Sequence, residues 1–137
     1  MSGHIPTSLQ RRVRLRAGDR CEYCRLAQAG QEATFHIDHV VPRAASGATV
    51  LENLALACVS CSLRKGARTT AIDPTTGEAM QLFHPRFHPW SDHFGASASG
   101  EILGLTAIGR ATVAALSMNR DIPVETRYRE CFYGRWP

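Results

Sequence analysis

No apolar run in this 137-residue chain approaches the length needed to cross a bilayer, so a membrane-spanning protein is not expected and no membrane partner is assigned. Met1 to Gln10 lacks an apolar stretch behind a basic lead, the pattern of a secretory signal, and the expected compartment is therefore the reducing cytoplasm. No internal repeat and no coiled-coil pattern is present, which removes solenoids and long helical rods. Disorder is also disfavoured, because 44% of residues are hydrophobic and 20% charged. A length of 137 residues leads to the expectation of a single domain over 1–137, large enough for a modest core and small enough to gain from a metal crosslink.

Cysteine is scarce, with five residues in all, and their number is odd. Four form two matched knuckles, Cys21-Glu22-Tyr23-Cys24 and Cys58-Val59-Ser60-Cys61, while Cys131 stands alone and reads as a plain thiol. Two Cys-x-x-Cys pairs can supply four thiolates to zinc, and a closed four-sulfur site leaves no open position for chemistry. The zinc is thus expected to be structural. A disulfide pairing of the same cysteines in a secreted chain is the alternative, and it leaves the two-residue spacing unexplained.

Acidic residues are outnumbered, 12 against 16 basic, giving a formal charge of +4 and a pI of about 9.0, which fits a polyanion partner. The excess is local. Arg11, Arg12, Arg14, Arg16, Arg20 and Arg25 crowd the first knuckle, and Arg64, Lys65 and Arg68 follow the second. A solvated helix face is the plainer reading of the first cluster, but its place beside the knuckle favours a contact surface. Little in the chain suggests base-specific readout.

Pro6 at the first helical position and Leu9, Val13 and Ala17 at four-residue intervals predict a helix over 6–17, ended by Gly18. Residues 33–41 read as a strand stopped by Pro42, 50–56 as a return strand, and 60–67 as a short helix with Arg64 and Lys65 exposed. Beyond residue 68, Asp73-Pro74-Thr75-Thr76-Gly77 is a turn between Ala71-Ile72 and Met80-Gln81-Leu82-Phe83, predicting a hairpin. Pro85, Pro89 and Trp90 mark an irregular segment, and 96–100 a small flexible stretch. Ile102 to Leu105 is a further strand, and Ile108, Thr112, Ala115 and Leu116 share a helical face with Thr106 as N-cap and Pro123 past the end.

Between the knuckles lie His36-Ile37-Asp38-His39 and Asn53. On a strand, positions 36 and 38 share a face, and 39 joins them only where the strand bends, as it can before Pro42. Metal-assisted hydrolysis of a phosphodiester needs a hard oxygen ligand and a base for water; Asp38 can be the first and His39 the second. His84, His88 and His93 with Asp92 lack compact ligand spacing, and the neighbouring prolines mark them as a packing segment.

Taken in order, Cys21-x-x-Cys24, Asp38-His39, Asn53 and Cys58-x-x-Cys61 resemble the HNH endonuclease family over residues 21–66. The resemblance implies an α+β fold: a ββα-metal (HNH/His-Me finger) core over 21–68, stapled by zinc. The helix at 6–17 and a C-terminal extension, 69–137, with a hairpin and a helix would pack on it. It implies a metal-dependent endonuclease acting on duplex or branched DNA, with Asp38 binding magnesium or manganese at the scissile phosphate and His39 activating water. Asn53 would brace the loop and orient the base; as a plain structural residue it would satisfy backbone groups in a turn. The family usually has His or Asn after the fourth cysteine as second metal ligand, and this chain has Ser62. A serine oxygen can still ligate magnesium, and His36 could add a ligand or act from behind one. Arg64, Lys65, Arg68, Arg12 and Arg16 would hold the DNA backbone. The alternative is a zinc-stapled nucleic-acid-binding protein with weakened chemistry.

Overall fold

The computed structural model describes residues 4–137, so Met1 to Gly3 of the N-terminal reading lie outside the described residues. Helix α1 (Thr7–Ala17) starts one residue after Pro6, which serves as N-cap. Its end is set by Gly18, whose φ of 62° is left-handed and lets the chain turn back under the last carbonyls. Of the apolar stripe, Val13 is fully buried and Leu9 and Ala17 pack at its margin.

Strands β1 (His36–His39) and β2 (Leu54–Ala57) pair antiparallel, with Asp38 opposite Ala55 and His39 opposite Leu54. All four residues of β2 are buried, so this strand lies inside the molecule and is packed on both faces, which holds the register. Helix α2 (Val59–Lys65) begins in the second knuckle: the Cys58 Sγ accepts from the Cys61 N–H at 3.4 Å, replacing an ordinary N-cap oxygen. Strand, return strand and helix form the ββα unit, with α1 packed on β2.

The extension builds two further hairpins. Strands β3 (Thr70–Ile72) and β4 (Ala79–Gln81) pair as expected around the Asp73 turn, where the Asp73 carboxylate accepts from the Thr75 N–H and the Thr76 hydroxyl. That buried carboxylate also takes two bonds from Arg110, which hold it well below the usual carboxylate range and tie the hairpin to α4 (Ala107–Ala115). A one-turn helix α3 (Trp90–His93) leads into β5 (Phe94–Ala96), which pairs with β6 (Ile102–Gly104). The sequence reading placed only the second strand of this hairpin. Thr106 caps α4 by accepting from the Gly109 N–H.

Pro123 does lie past α4, but inside the first turn of α5 (Asp121–Phe132), a helix absent from the sequence reading. First-turn N–H groups have no intrahelical acceptor, so proline costs little there and does not terminate anything. The core joins Val13, Leu54, Leu56, Phe83, Phe94, Leu116 and Trp136. Two indoles fasten the extension to the first knuckle: Trp90 donates to the Tyr23 carbonyl at 2.8 Å and Trp136 to the Cys24 carbonyl at 2.9 Å. Among the described residues, no helix is long and apolar enough to cross a membrane.

Candidate functional site

The knuckle sulfurs converge. The ligand atoms of Cys21, Cys24, Cys58 and Cys61 all lie within 4.8 Å of one another and all four residues are buried. Cys24 and Cys58 Sγ are 3.7 Å apart, and the Cys24 N–H donates to the Cys21 Sγ at 3.4 Å as Cys61 does to Cys58. The other three sulfurs and burial push the Cys61 thiol well up, because further negative charge there has no compensation from the protein. A tetrad of soft donors that cannot ionise together without a cation is a group that could hold zinc. Cys131 stands outside it.

His36 and Asp38 share a face of β1, but burial deepens from the first to the second, with His36 exposed, Asp38 buried and His39 half-buried. Asp38 receives a hydrogen bond from the Tyr23 hydroxyl at 2.7 Å and faces the Lys65 ammonium at 3.2 and 3.4 Å from its two oxygens. Tyr23 belongs to the first knuckle and Lys65 ends the helix grown from the second, so both arms of the cysteine staple grip this one carboxylate. Burial raises the Asp38 carboxyl, while Lys65 and Tyr23 oppose the rise. The same burial, with Asp38 alongside, pushes the Tyr23 phenol far up and keeps it a donor.

Lys65 requires a correction. It was expected at the surface as a phosphate contact, yet it is 1% exposed, and it also donates to the His39 carbonyl at 3.1 Å. An ammonium buried against a carboxylate and a carbonyl is a tie within the protein rather than an exposed contact. Tyr23 was missed, and nothing in the sequence marks it, since the inner positions of a knuckle accept most residues.

His39 follows Asp38, and its Nε2 lies 2.9 Å from the Thr49 Oγ1. Burial lowers its pKa below the ordinary imidazole value, the Arg43 charge lowers it further, and Asp38 partly restores it. Among the described residues no hydrogen bond joins Asn53 to the imidazole. The Asn53 Oδ1 accepts from the Val41 N–H, and its Nδ2 donates to the carbonyls of Val41 and Ala48, each at 2.9 Å. The loop so braced carries Thr49, and Asn53 therefore reaches His39 through one intermediary. Gly47 makes the closure possible, because a Cβ there would lie 1.7 Å from the Val41 carbonyl oxygen.

His36 and Ser62 are brought together, Nδ1 to Oγ at 2.8 Å, on the exposed side of β1. No hydrogen bond joins either to Asp38, and among the described residues the cysteine tetrad is the only convergence of three or more His, Cys, Asp or Glu ligands. As donors for a second cation, Asp38, Ser62 and His36 are hard oxygens and an imidazole, and Asp38 already sits against a positive charge in Lys65.

The arginines divide. Arg12 and Arg64 are exposed and make no side-chain bond among the described residues. Arg16 donates to the carbonyls of Leu51 and Leu54, and Arg68 to those of Arg64 and Ala115, so both also hold the fold together. Beside the site, His84, His88 and His93 pack with Phe83 and Phe87, and His93 bonds Thr106.

No curated protein and no solved structure matches the chain. The description HNH endonuclease attaches to residues 21–68, about a third of the chain, where a family model matches from the first cysteine to just past α2. The matched segment contains the whole tetrad, the Asp38-His39 end of β1 and the Asn53 brace, and its family points to a nuclease-type function on nucleic acid. Residues 21–68 are thus similar to the HNH endonuclease family, in a segment framed by four cysteines that could hold zinc.

Proposed function

We propose that the protein is a zinc-stapled HNH endonuclease that hydrolyses DNA phosphodiester bonds in a reducing compartment, with residues 1–137 acting as one unit around the core. The observation that carries the reading is the placing of His39, half-buried at the end of β1 and held by Thr49 beside the buried Asp38 carboxylate. With Nε2–H donating to Thr49, the Nδ1 lone pair is left to take a proton from water as its oxygen bonds to phosphorus and the bridging ester oxygen departs. Asn53 keeps Thr49, and through it the ring, in place. A magnesium or manganese ion held by Asp38, with Ser62 and His36 as further donors, would stabilise the charge that grows on the phosphate. Asp38 would then be shared with Lys65 or released from it. Arg12 and Arg64 are free to meet the DNA backbone, with Arg16 and Arg68 at the margins, and binding should weaken with salt as counterions are released.

The test is nicking of plasmid DNA in magnesium or manganese, repeated on single-stranded, duplex and branched substrates. His39→Ala should lose at least about 100-fold in rate, within the range for a general base, while keeping fold and zinc. Parent-level cutting by that variant would remove His39 from the mechanism. A second reading, a nucleic-acid binder with weakened chemistry, is favoured by two features: Ser62 at the ligand position and the prior engagement of Asp38 by Tyr23 and Lys65. A folded, zinc-loaded parent that binds DNA and cuts none of these substrates with either metal would establish it.

A further inference from the structure

Helix α5 turns one face inward and leaves the other bare. Arg127 and Glu130 are buried, the first bound to the carbonyls of Gly100 and Met118 and the second to Arg135, so the polar inner side fastens the helix to the protein. On the outer side Ile122 is 71% exposed, Phe132 72% and Tyr133 70%, while Tyr128 stands edge-on to Phe132 with ring centroids 5.1 Å apart. Large apolar side chains gathered on one helix face mark a contact surface, unlike the scattered exposure of an ordinary monomer.

The order of residues along this face says what fits it. Ile122, Glu125, Arg129 and Phe132 follow at intervals of three, four and three residues, the a and d spacing of a helix that packs along another helix. The seam is apolar at both ends and charged in the middle. Glu125 and Arg129 pair with each other at 2.9 Å along the helix, both are more than half exposed, and neither side chain has another partner among the described residues. Laid antiparallel on itself, level with Arg127, the seam sets Ile122 against Phe132 at each end and Glu125 against Arg129 in both middle layers. A parallel pairing would put glutamate on glutamate and arginine on arginine, which like-charge repulsion disfavours.

We infer that this face is the seam of a homodimer, in which α5 pairs antiparallel with α5 of a second copy across a two-fold axis level with Arg127. A two-fold contact puts the same patch on both subunits, so only a surface that complements its own reversal can close in this way. Tyr128 and Tyr133 flank the seam with the aromatic residue type that interface centres favour. The dimer does not rest on the nuclease reading, since no residue named for cleavage, DNA or zinc lies on α5. It would set two HNH segments about one axis.

Sedimentation of the zinc-loaded full chain over a concentration series tests the pairing, and the parent should pass from monomer to dimer and stop there. Ile122 and Phe132 lie about 15 Å apart along one helix, too far for a nuclear Overhauser contact within a single chain. A contact between the Ile122 methyls and the Phe132 ring should therefore appear as the dimer fills, and it reports the second copy. Glu125→Arg sets arginine against arginine in the middle layers and Arg129→Glu sets glutamate against glutamate, so each variant alone should self-associate at least about tenfold more weakly. Mixed one to one, the two restore opposite charges in both layers and should form a heterodimer at close to parent strength. Both positions are exposed, and each variant should keep zinc and the parent melting temperature. The parent contact decides the matter even where a variant fails to fold. A parent that stays monomeric, grows beyond a dimer or dimerises without that contact would overturn the seam, as would variants that associate like the parent or a mixture that does not associate.

Discussion

His39 shows how neighbours set a residue's working range. In the proposed mechanism the base is the neutral imidazole, so cleavage should rise as pH increases through its pKa and stay level above it. Burial and Arg43 hold that pKa below the ordinary 6.5, and the acid limb of the kcat/KM profile is expected below pH 6.5. Arg43→Gln removes the second cause and should move the limb upward, toward the free imidazole value, with the plateau retained. An acid limb that stays put in that variant would detach the profile from His39. Lys65 carries a stability prediction. Lys65→Met leaves Asp38 buried without its cation and should cost about 3–5 kcal/mol in denaturant unfolding, whereas adding Asp38→Asn should recover part of the loss. Additive losses in the double variant would mean that the pair is not coupled.

The same two residues mark what one residue's identity reveals. Asp38 and His39 stood out because a carboxylate and an imidazole between knuckles have few structural uses. Lys65 was misjudged because charge defaults to solvent and a seven-residue helix, α2, is too short for periodicity to fix its buried face. Only the position of Asp38 in three dimensions explains why that lysine turns inward. Asn53 was readable either as a brace or as an aid to the base; its bonds are those of a brace, on the loop whose Thr49 lies against the His39 ring.

At the scale of elements, the readable ones carry a local stop or start. Gly18 ends α1, Thr106 opens α4, the Asp73 turn joins β3 to β4, and the knuckle itself opens α2. Strand β5 has three residues and no such marker, and α5 carries a proline where a first turn tolerates it, so both were invisible without their partners. The loop from Val41 to Asn53 allows a direct test of element geometry. Gly47→Ala would place a methyl 1.7 Å from the Val41 carbonyl and 2.8 Å from the Asn53 Nδ2, neither at the end of a long flexible chain. The loop must open to admit it. Unfolding free energy should fall by about 1–3 kcal/mol, as in other overpacked sites, and nicking should fall with it because Thr49 loses its support. A variant with parent melting temperature and parent activity would show that the brace does not act on His39.

Across the whole molecule the cysteine tetrad connects what would otherwise be separate pieces. Its first knuckle supplies Tyr23 to Asp38 and accepts bonds from Trp90 and Trp136, while its second starts the helix that ends in Lys65. Loss of the tie should therefore disturb the extension and the Asp38 site together. Structural zinc in small peptides contributes on the order of 10–16 kcal/mol of apparent free energy, comparable with or larger than the roughly 5–15 kcal/mol net stability of a domain. Cys58→Ser, or chelation of the parent, should accordingly abolish cooperative unfolding and helical circular dichroism, with nicking lost in parallel and recovered in the parent when zinc is returned. Cys131→Ser, outside the tetrad, should keep one zinc per chain and the parent melting temperature, separating loss of a ligand from loss of any thiol. A Cys58→Ser protein that still melts cooperatively with zinc bound would remove the staple as the source of this coupling. The Asp38 grip would then have to rest on the apolar core alone.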